Sequence, residues 1–265
     1  MDFLQYTYLI INKQHYLNRM SSDQNHFYKA FEDQHRGSRE TIKSRLAVYL
    51  PFIKQIKLID PNATALDLGC GRGEWLELLQ ENQFAASGID LDDGMLSACR
   101  SRGLNVQTGD AITYLKSLPA NSLSIVSGFH IAEHLSLDDL QTLIKEALRV
   151  LKPAGLLILE APNTENLVVG TSSFYLDPTH QRPLPSALLN FLVGYLGFAR
   201  SKVLGVQESV PLREELGPTS LFAVLSGVSP DYAVIAQKTG DASSIASFDS
   251  LFAKEYGLTL ELLAN

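Results

Sequence analysis

Two groups of residues in this 265-residue chain have the types and spacing to do chemistry. The first is Asp67-Leu-Gly-Cys-Gly-Arg-Gly73, followed by an acid at Gly88-Ile-Asp-Leu-Asp92. Glycines at alternate positions make a turn in which no Cβ keeps a ligand off the backbone. The turn runs into a helix-forming segment from Glu74, whose first N–H groups have no acceptor within the helix. Asp90 follows the next strand, about twenty residues on, where a carboxylate can grip a ribose diol. Strand, glycine turn, helix, strand and acid make a nucleoside-binding half-fold. The second group is His130-Ile-Ala-Glu-His134, with His180 and Arg182 further on. A histidine with a pKa near 6.5 accepts protons at working pH. An oriented base contributes about 10²–10⁴-fold when the reacting hydroxyl is barely ionised. His134 suits that role, with Glu133 to orient it or to steady the imidazolium that forms. The same histidines and carboxylate also have the chemistry to enclose a divalent ion, so metal content stays open. Arg182 suits an anionic ligand through its planar fork, and with His180 it would position a polyhydroxyl or anionic molecule.

The elements that position these groups follow from hydrophobic patterning. Strands are expected at Thr64 to Leu68, Ala85 to Ile89, Leu104 to Gln107, Leu123 to Phe129, Leu156 to Glu160, Ser201 to Val206 and Asp231 to Lys238. Helices alternate with them at Glu74 to Glu81, Asp92 to Ser101, Ile112 to Ser117, Leu140 to Leu151 and Ala187 to Leu196. Lys152 to Gly155 reads as a turn, Gln207 to Gly227 as a loop or small insertion, and Ala242 to Tyr256 as one helix. The pattern predicts an α/β fold, a Rossmann-like, seven-stranded, doubly wound and mostly parallel sheet. Ligands of such sheets sit outside the carboxyl ends of the strands, where the His130–His134 tip lies. Asp110 can cap the helix that follows it. Upstream, Phe27 and Phe31 have helical spacing, Arg36-Gly-Ser breaks it, and Ser38 can cap a second helix disturbed at Pro51. The expected organisation is a disordered extension over 1–22, a helical cap over 23–60, the main domain over 61–240 and a helical tail over 241–265.

Composition narrows the class. Hydrophobic residues make up 45% and charged residues 19%, enough for a real core. A net charge of -7 argues against bulk nucleic acid or anionic membrane as the main partner. Two cysteines, Cys70 and Cys99, cannot make a disulfide framework. There is no apolar run of the ~18 residues of a spanning helix and no secretory signal, so the cytoplasm is expected, with room for a peripheral place at the inner membrane.

Asp67-x-Gly69-x-Gly71-x-Gly73 resembles the first motif of class I S-adenosylmethionine (SAM) methyltransferases, and Leu151-Lys-Pro-Ala-Gly155 is similar to a later turn of that family. The resemblance implies SAM as cofactor, with Gly69 and Gly71 facing its aminoacid moiety. Asp90 and Leu91 would hold the ribose, and Asp110 and Ala111 would lie beside the adenine amino group. His130 would border the same site, and N-terminal helices would close it through Arg36 or Tyr28. The Gly-x-Gly-x-x-Gly spacing of dinucleotide-dependent oxidoreductases is absent. A narrower likeness covers about residues 24 to 256. Phe27-Tyr-Lys-Ala-Phe-Glu, Arg36-Gly-Ser-Arg-Glu, His130-Ile-Ala-Glu-His134 and Tyr175-Leu-Asp-Pro-Thr-His-Gln-Arg-Pro183 resemble the methyltransferase part of bacterial O-antigen chain-terminating enzymes.

That likeness implies O-methylation of a sugar hydroxyl at the non-reducing end of a surface polysaccharide, within lipopolysaccharide biosynthesis. The catalytic set would be His134, Glu133, His180 and Arg182. Alternatives are a terminal sugar phosphate, another small-molecule hydroxyl, or a catalytically silent SAM-binding scaffold. Expected partners are a glycan acceptor and a glycosyltransferase or kinase of polysaccharide assembly; no kinase motif occurs in this sequence. Small-RNA 2′-O-methyltransferases hold magnesium with Glu-x-x-Glu-His and a later His. This chain has His130 at the first of those positions, which argues against a hard, oxygen-loving ion.

Overall fold

The computed structural model describes residues 37–208 and 220–264. Seven strands form one sheet in the order β3-β2-β1-β4-β5-β7-β6. They are β1 (Thr64–Leu68), β2 (Ala85–Asp90), β3 (Val106–Thr108), β4 (Leu123–Phe129), β5 (Leu151–Pro162), β6 (Arg200–Val206) and β7 (Asp231–Gln237). β7 runs antiparallel to both β5 and β6, and the other pairings are parallel. The strand order reverses between β1 and β4, which is where a parallel sheet of this kind opens a crevice at its carboxyl edge.

Helices cover both faces. On one, Leu137–Val150 buries Leu140, Leu143, Ile144, Ala147 and Val150 at helical spacing. Ser136 caps it by accepting from Asp139 N at 3.1 Å. These side chains join Leu66, Val126, Leu157 and Leu159 of the central strands in the main core. On the other face, Leu50–Ile59 buries Phe52, Ile53 and Ile56. Just ahead of it, Tyr49 sets its ring on Trp75 and Phe129, with centroids 5.9 and 5.5 Å away. Packing against β2 is close: a Cβ at Gly88 would come within 2.6 Å of Cys70 Sγ and 2.7 Å of Leu76 Cδ1, so this strand position needs glycine.

The expected sheet is present with strand limits within two residues for β1 to β4, β6 and β7. Three local readings are corrected. Lys152 to Gly155 is a bulge inside one long strand, because Leu123 pairs with Leu151 while Ile125 already pairs with Leu156. Ala154 takes φ 62° there, a turn conformation inserted into an unbroken strand. The expected loop over Gln207 to Gly227 holds a helix at Leu221–Gly227, capped by the Ser220 hydroxyl. The tail is two short helices, Ala242–Ala246 and Asp249–Ala253, because the buried Phe248 separates them; a third, Leu260–Ala264, follows. Upstream, Thr41 N donates to Ser38 Oγ at 3.2 Å and the helix Arg39–Leu46 begins as expected. The readings for residues 1–36 lie outside the described residues.

Candidate active site

β1 ends at Leu68 and the chain turns through Gly69, Gly71 and Gly73, all with positive φ (66°, 48° and 81°). Gly69 N and Cys70 N both donate to Ile89 O, at 2.8 and 3.1 Å, and Gly73 N donates to Cys70 O at 2.9 Å. Gly71 N donates to Asp90 Oδ2 at 2.8 Å. These four amides are therefore satisfied within the protein. What the glycines supply is three positions that take positive φ without strain, in a turn held in shape from within. Asp90 Oδ1 accepts from Asp92 N at 2.9 Å. A carboxylate has about four lone-pair sites, so Asp90 pins the loop and still has capacity for two hydroxyls. Leu91 beside it is 69% exposed, an apolar shelf at the strand end. Asp110 caps the helix Ala111–Ser117 by accepting from Thr113 N at 2.8 Å.

Asp67 does a different job. It is buried and accepts from Ser127 Oγ at 2.7 Å, and Ser127 Oγ in turn accepts from Trp75 Nε1 at 2.9 Å. This chain of hydrogen bonds joins β1, β4 and the helix Glu74–Glu81 below the glycine turn.

β4 ends at Phe129, and His130 follows with φ 56°, unusual for a residue with a side chain. Its amide donates to Glu160 O at 2.9 Å. Ile131 packs over the glycine turn, where a Cβ on Gly69 would lie 3.5 Å from Ile131 Cδ1. The turn Ala132–His134 is thus set directly beside the loop. Both ring nitrogens of His130, expected at the cofactor, face protein carboxylates. Nδ1 lies 3.2 Å from Glu133 Oε1 and Nε2 lies 3.5 Å from Glu160 Oε1. Partial burial opposes a charge on this ring, whose side chain is 39% exposed, but Asp231, Glu133 and Glu160 outweigh it and hold the pKa well above the ordinary value. Asp231 is pushed up to about 7 by burial, against the pull of His130 and helped by Glu160. Tyr49 Oη donates to Glu160 Oε2, and Gln207 Nε2 donates to Oε1 at 2.5 Å.

Glu133, His134 and His180 come together on the outer side of this cluster. Glu133 was expected to orient His134; the structure gives that role to Thr179. Thr179 Oγ1 donates to Asp177 Oδ1 at 2.6 Å, so its own lone pair receives the Nδ1 proton of His134 at 3.0 Å. His180 Nδ1 lies 2.6 Å from Phe174 O, and a carbonyl can only accept. Both rings therefore leave Nε2 as the unprotonated nitrogen; His180 Nε2 lies 4.0 Å from Glu133 Oε1, and the two ring centroids are 4.7 Å apart. Gln181 N donates to Glu133 O at 3.0 Å and Gln181 Nε2 to His134 O at 2.9 Å, tying the 177–181 segment to the strand tip. Burial holds His134 below the usual imidazole pKa, with Glu133 opposing. Glu133 is itself buried, yet the hydrogen bond and charge of His130 keep its pKa below the carboxylate norm. Arg182 is exposed. Tyr28 and Arg36 lie outside the described residues.

Comparison with known proteins identifies the family. A methyltransferase-domain family model matches residues 66–159. The solved structure of a SAM dependent methyltransferase from Archaeoglobus fulgidus is 33% identical, with a TM-score of 0.69 over 80% of this chain and 100% of that one. This chain belongs to the class I SAM-dependent methyltransferases. A probable S-adenosylmethionine-dependent methyltransferase of Mycolicibacterium smegmatis is 30% identical over 149 residues, 56% of this chain and 57% of the relative. A trans-aconitate 2-methyltransferase of Rhizobium rhizogenes is 35% identical over 104 residues, 37% of this chain and 38% of that protein. The chain spans little more than half the length of its mycobacterial relatives.

The methyltransferase cofactor is SAM, and the residues present fit it. Asp90 keeps two acceptor sites that would suit the ribose hydroxyls, Leu91 would offer an apolar surface, and the positive φ of Gly69, Gly71 and Gly73 shapes the turn beside them. Replacing Asp90 with alanine removes charge-assisted hydrogen bonds worth about 1.5–3 kcal/mol. SAM affinity, read by calorimetric titration, should fall roughly ten- to hundredfold. Unchanged affinity would take Asp90 out of the site.

Proposed function

We propose that this chain is a SAM-dependent O-methyltransferase acting on a hydroxyl, and that the hydroxyl belongs to a sugar at the end of a bacterial surface polysaccharide. SAM supplies a methyl group on a sulfonium, a reactive centre that needs alignment more than activation. The alcohol is the weaker partner, since it is barely ionised near neutral pH. The observation behind the reading is the pair of unprotonated Nε2 atoms on His134 and His180, a tautomer set by the Nδ1 contacts to Thr179 Oγ1 and Phe174 O. His134 Nε2 takes the hydroxyl proton, and the ionised Glu133 carboxylate steadies the imidazolium that results. Arg182, exposed beyond His180, would meet the polar or anionic surroundings of the sugar. The sugar assignment rests on the likeness of the flanking motifs to O-antigen chain-terminating enzymes, and a glycosyltransferase or kinase partner on the same likeness. Among the described residues no helix is long and apolar enough to cross a membrane.

The relative named a trans-aconitate methyltransferase raises a second reading, an acid acceptor. A carboxylate or phosphate is already an anion and has no use for a base. Isotope-labelled SAM offered with lipopolysaccharide extracts and with small organic acids separates the two. A methyl ether that survives mild alkali is expected. Label released by mild alkali would mark a carboxylate ester and overturn the hydroxyl assignment.

A further inference from the structure

We infer that Glu133, His134 and His180 form a binding site for a divalent first-row transition ion, zinc in particular. One donor atom from each lies within 4.8 Å of the other two. Proximity alone would not make a site; three further observations do. First, the Glu133 side chain is fully buried, and its Oε2 has no hydrogen-bond partner. A buried charged oxygen without a partner is costly, and a cation is the ligand that satisfies it. Second, both imidazoles have their Nδ1 proton committed outward, His180 to the Phe174 carbonyl and His134 through Thr179 to Asp177. Metal-ligating histidines are held in this way, which fixes the tautomer and aims the other nitrogen. Third, the two hydrogen bonds from Gln181 clamp the segment carrying His180 to the backbone of Glu133 and His134, so the donors are positioned before any ligand arrives.

The donor set selects the ion. Two imidazoles and one carboxylate with an open side match a catalytic zinc site, whereas magnesium prefers oxygens and keeps its water. The neighbouring group of His130, Glu160 and Asp231 is also close-set. It does not qualify, because the His130 nitrogens face Glu133 and Glu160, and both Glu160 oxygens already accept from Tyr49 and Gln207. The role of the ion rests on the hydroxyl reading above. It would acidify a bound alcohol, the proton passing to water, with His134 then a ligand in place of a base.

The test uses the full chain, stripped with a chelator and titrated with Zn²⁺ and Mg²⁺ in parallel. Co²⁺ serves as a coloured probe of the ligands. One equivalent of Zn²⁺ should bind, at least about 100-fold more tightly than Mg²⁺. His180→Ala and Glu133→Gln should lose Zn²⁺ and the Co²⁺ absorption bands while binding SAM as the wild type does. Thr179→Val, which touches no ion, should weaken Zn²⁺ about 10–100-fold. Wild-type protein that binds no Zn²⁺, or variants that bind it unchanged, would overturn the site. Should the two ligand variants fail to bind SAM, Thr179→Val decides the matter. Methyl transfer to a hydroxyl by zinc-free protein, at full rate in chelator, removes the metal and leaves the O-methyltransferase reading intact. Zinc bound without any such transfer supports the site and removes that reading.

Discussion

Replacing His134 with alanine should lower methyl transfer to a sugar hydroxyl by about 10²–10⁴-fold, while SAM binds nearly as before. The expectation comes from how the ring is held. Its Nδ1 proton is fixed by Thr179, which leaves Nε2 free to accept, and burial keeps the ring neutral to a lower pH than a free imidazole. Removal takes away the group that receives the proton, or a ligand of the ion that would replace it. The contrast between acceptors is as informative as the size of the loss. With a phosphate-bearing or carboxylate acceptor the same variant should lose far less, because that nucleophile is charged at the outset. Steady-state rates with both acceptor types read this directly. A loss below about tenfold on the hydroxyl acceptor would mean that the proton leaves by another route.

The second large effect concerns stability. Glu160→Ala should cost about 3–5 kcal/mol, the usual consequence of removing one member of a buried charged group. Glu160 is 3% exposed and is the shared acceptor for Tyr49, Gln207 and His130. Without it the fully buried Tyr49 hydroxyl has no acceptor, and His130 loses one of the carboxylates that hold it charged. His130 sits at positive φ, a conformation that persists only when its surroundings enforce it. Glu160→Gln retains an acceptor for Tyr49 and should cost less. Urea unfolding followed by circular dichroism measures both. A loss under about 1 kcal/mol for the alanine variant would show that the cluster is not held together through Glu160.

Much of this arrangement is legible in the residues themselves. Alternating glycines after a short apolar run place the turn after β1, and the limits of β1 and β4 follow from short, mainly apolar runs. Where the reading fails, the deciding contacts come from far along the chain. Lys152 to Gly155 has the composition of a turn and does bend, but on its far side pairing with β4 resumes and pairing with β7 begins. The helix Leu221–Gly227 hides in a stretch of Gly, Pro and Ser, although Ser220 is a good cap. The cluster of Tyr49, His130, Glu160 and Asp231 draws on four distant segments, so no local pattern announces it. Thr179 is an instructive miss. Asp177-Pro-Thr179 is an Asx turn, with Thr179 N donating to Asp177 Oδ1 at 2.8 Å, and that much can be read from sequence. That the turn would meet His134 depends on tertiary folding.

The central claim is that the nucleoside of SAM lies on Asp90 and Leu91 with its sulfur turned toward the His130–His134 tip. A crystal structure with S-adenosylhomocysteine tests it most directly. The ribose hydroxyls should be found within hydrogen-bond reach of the Asp90 carboxylate, and the thioether sulfur should face Ile131 and the Nε2 atoms of His134 and His180. A nucleoside bound elsewhere, or one that leaves Asp90 untouched, would contradict the account.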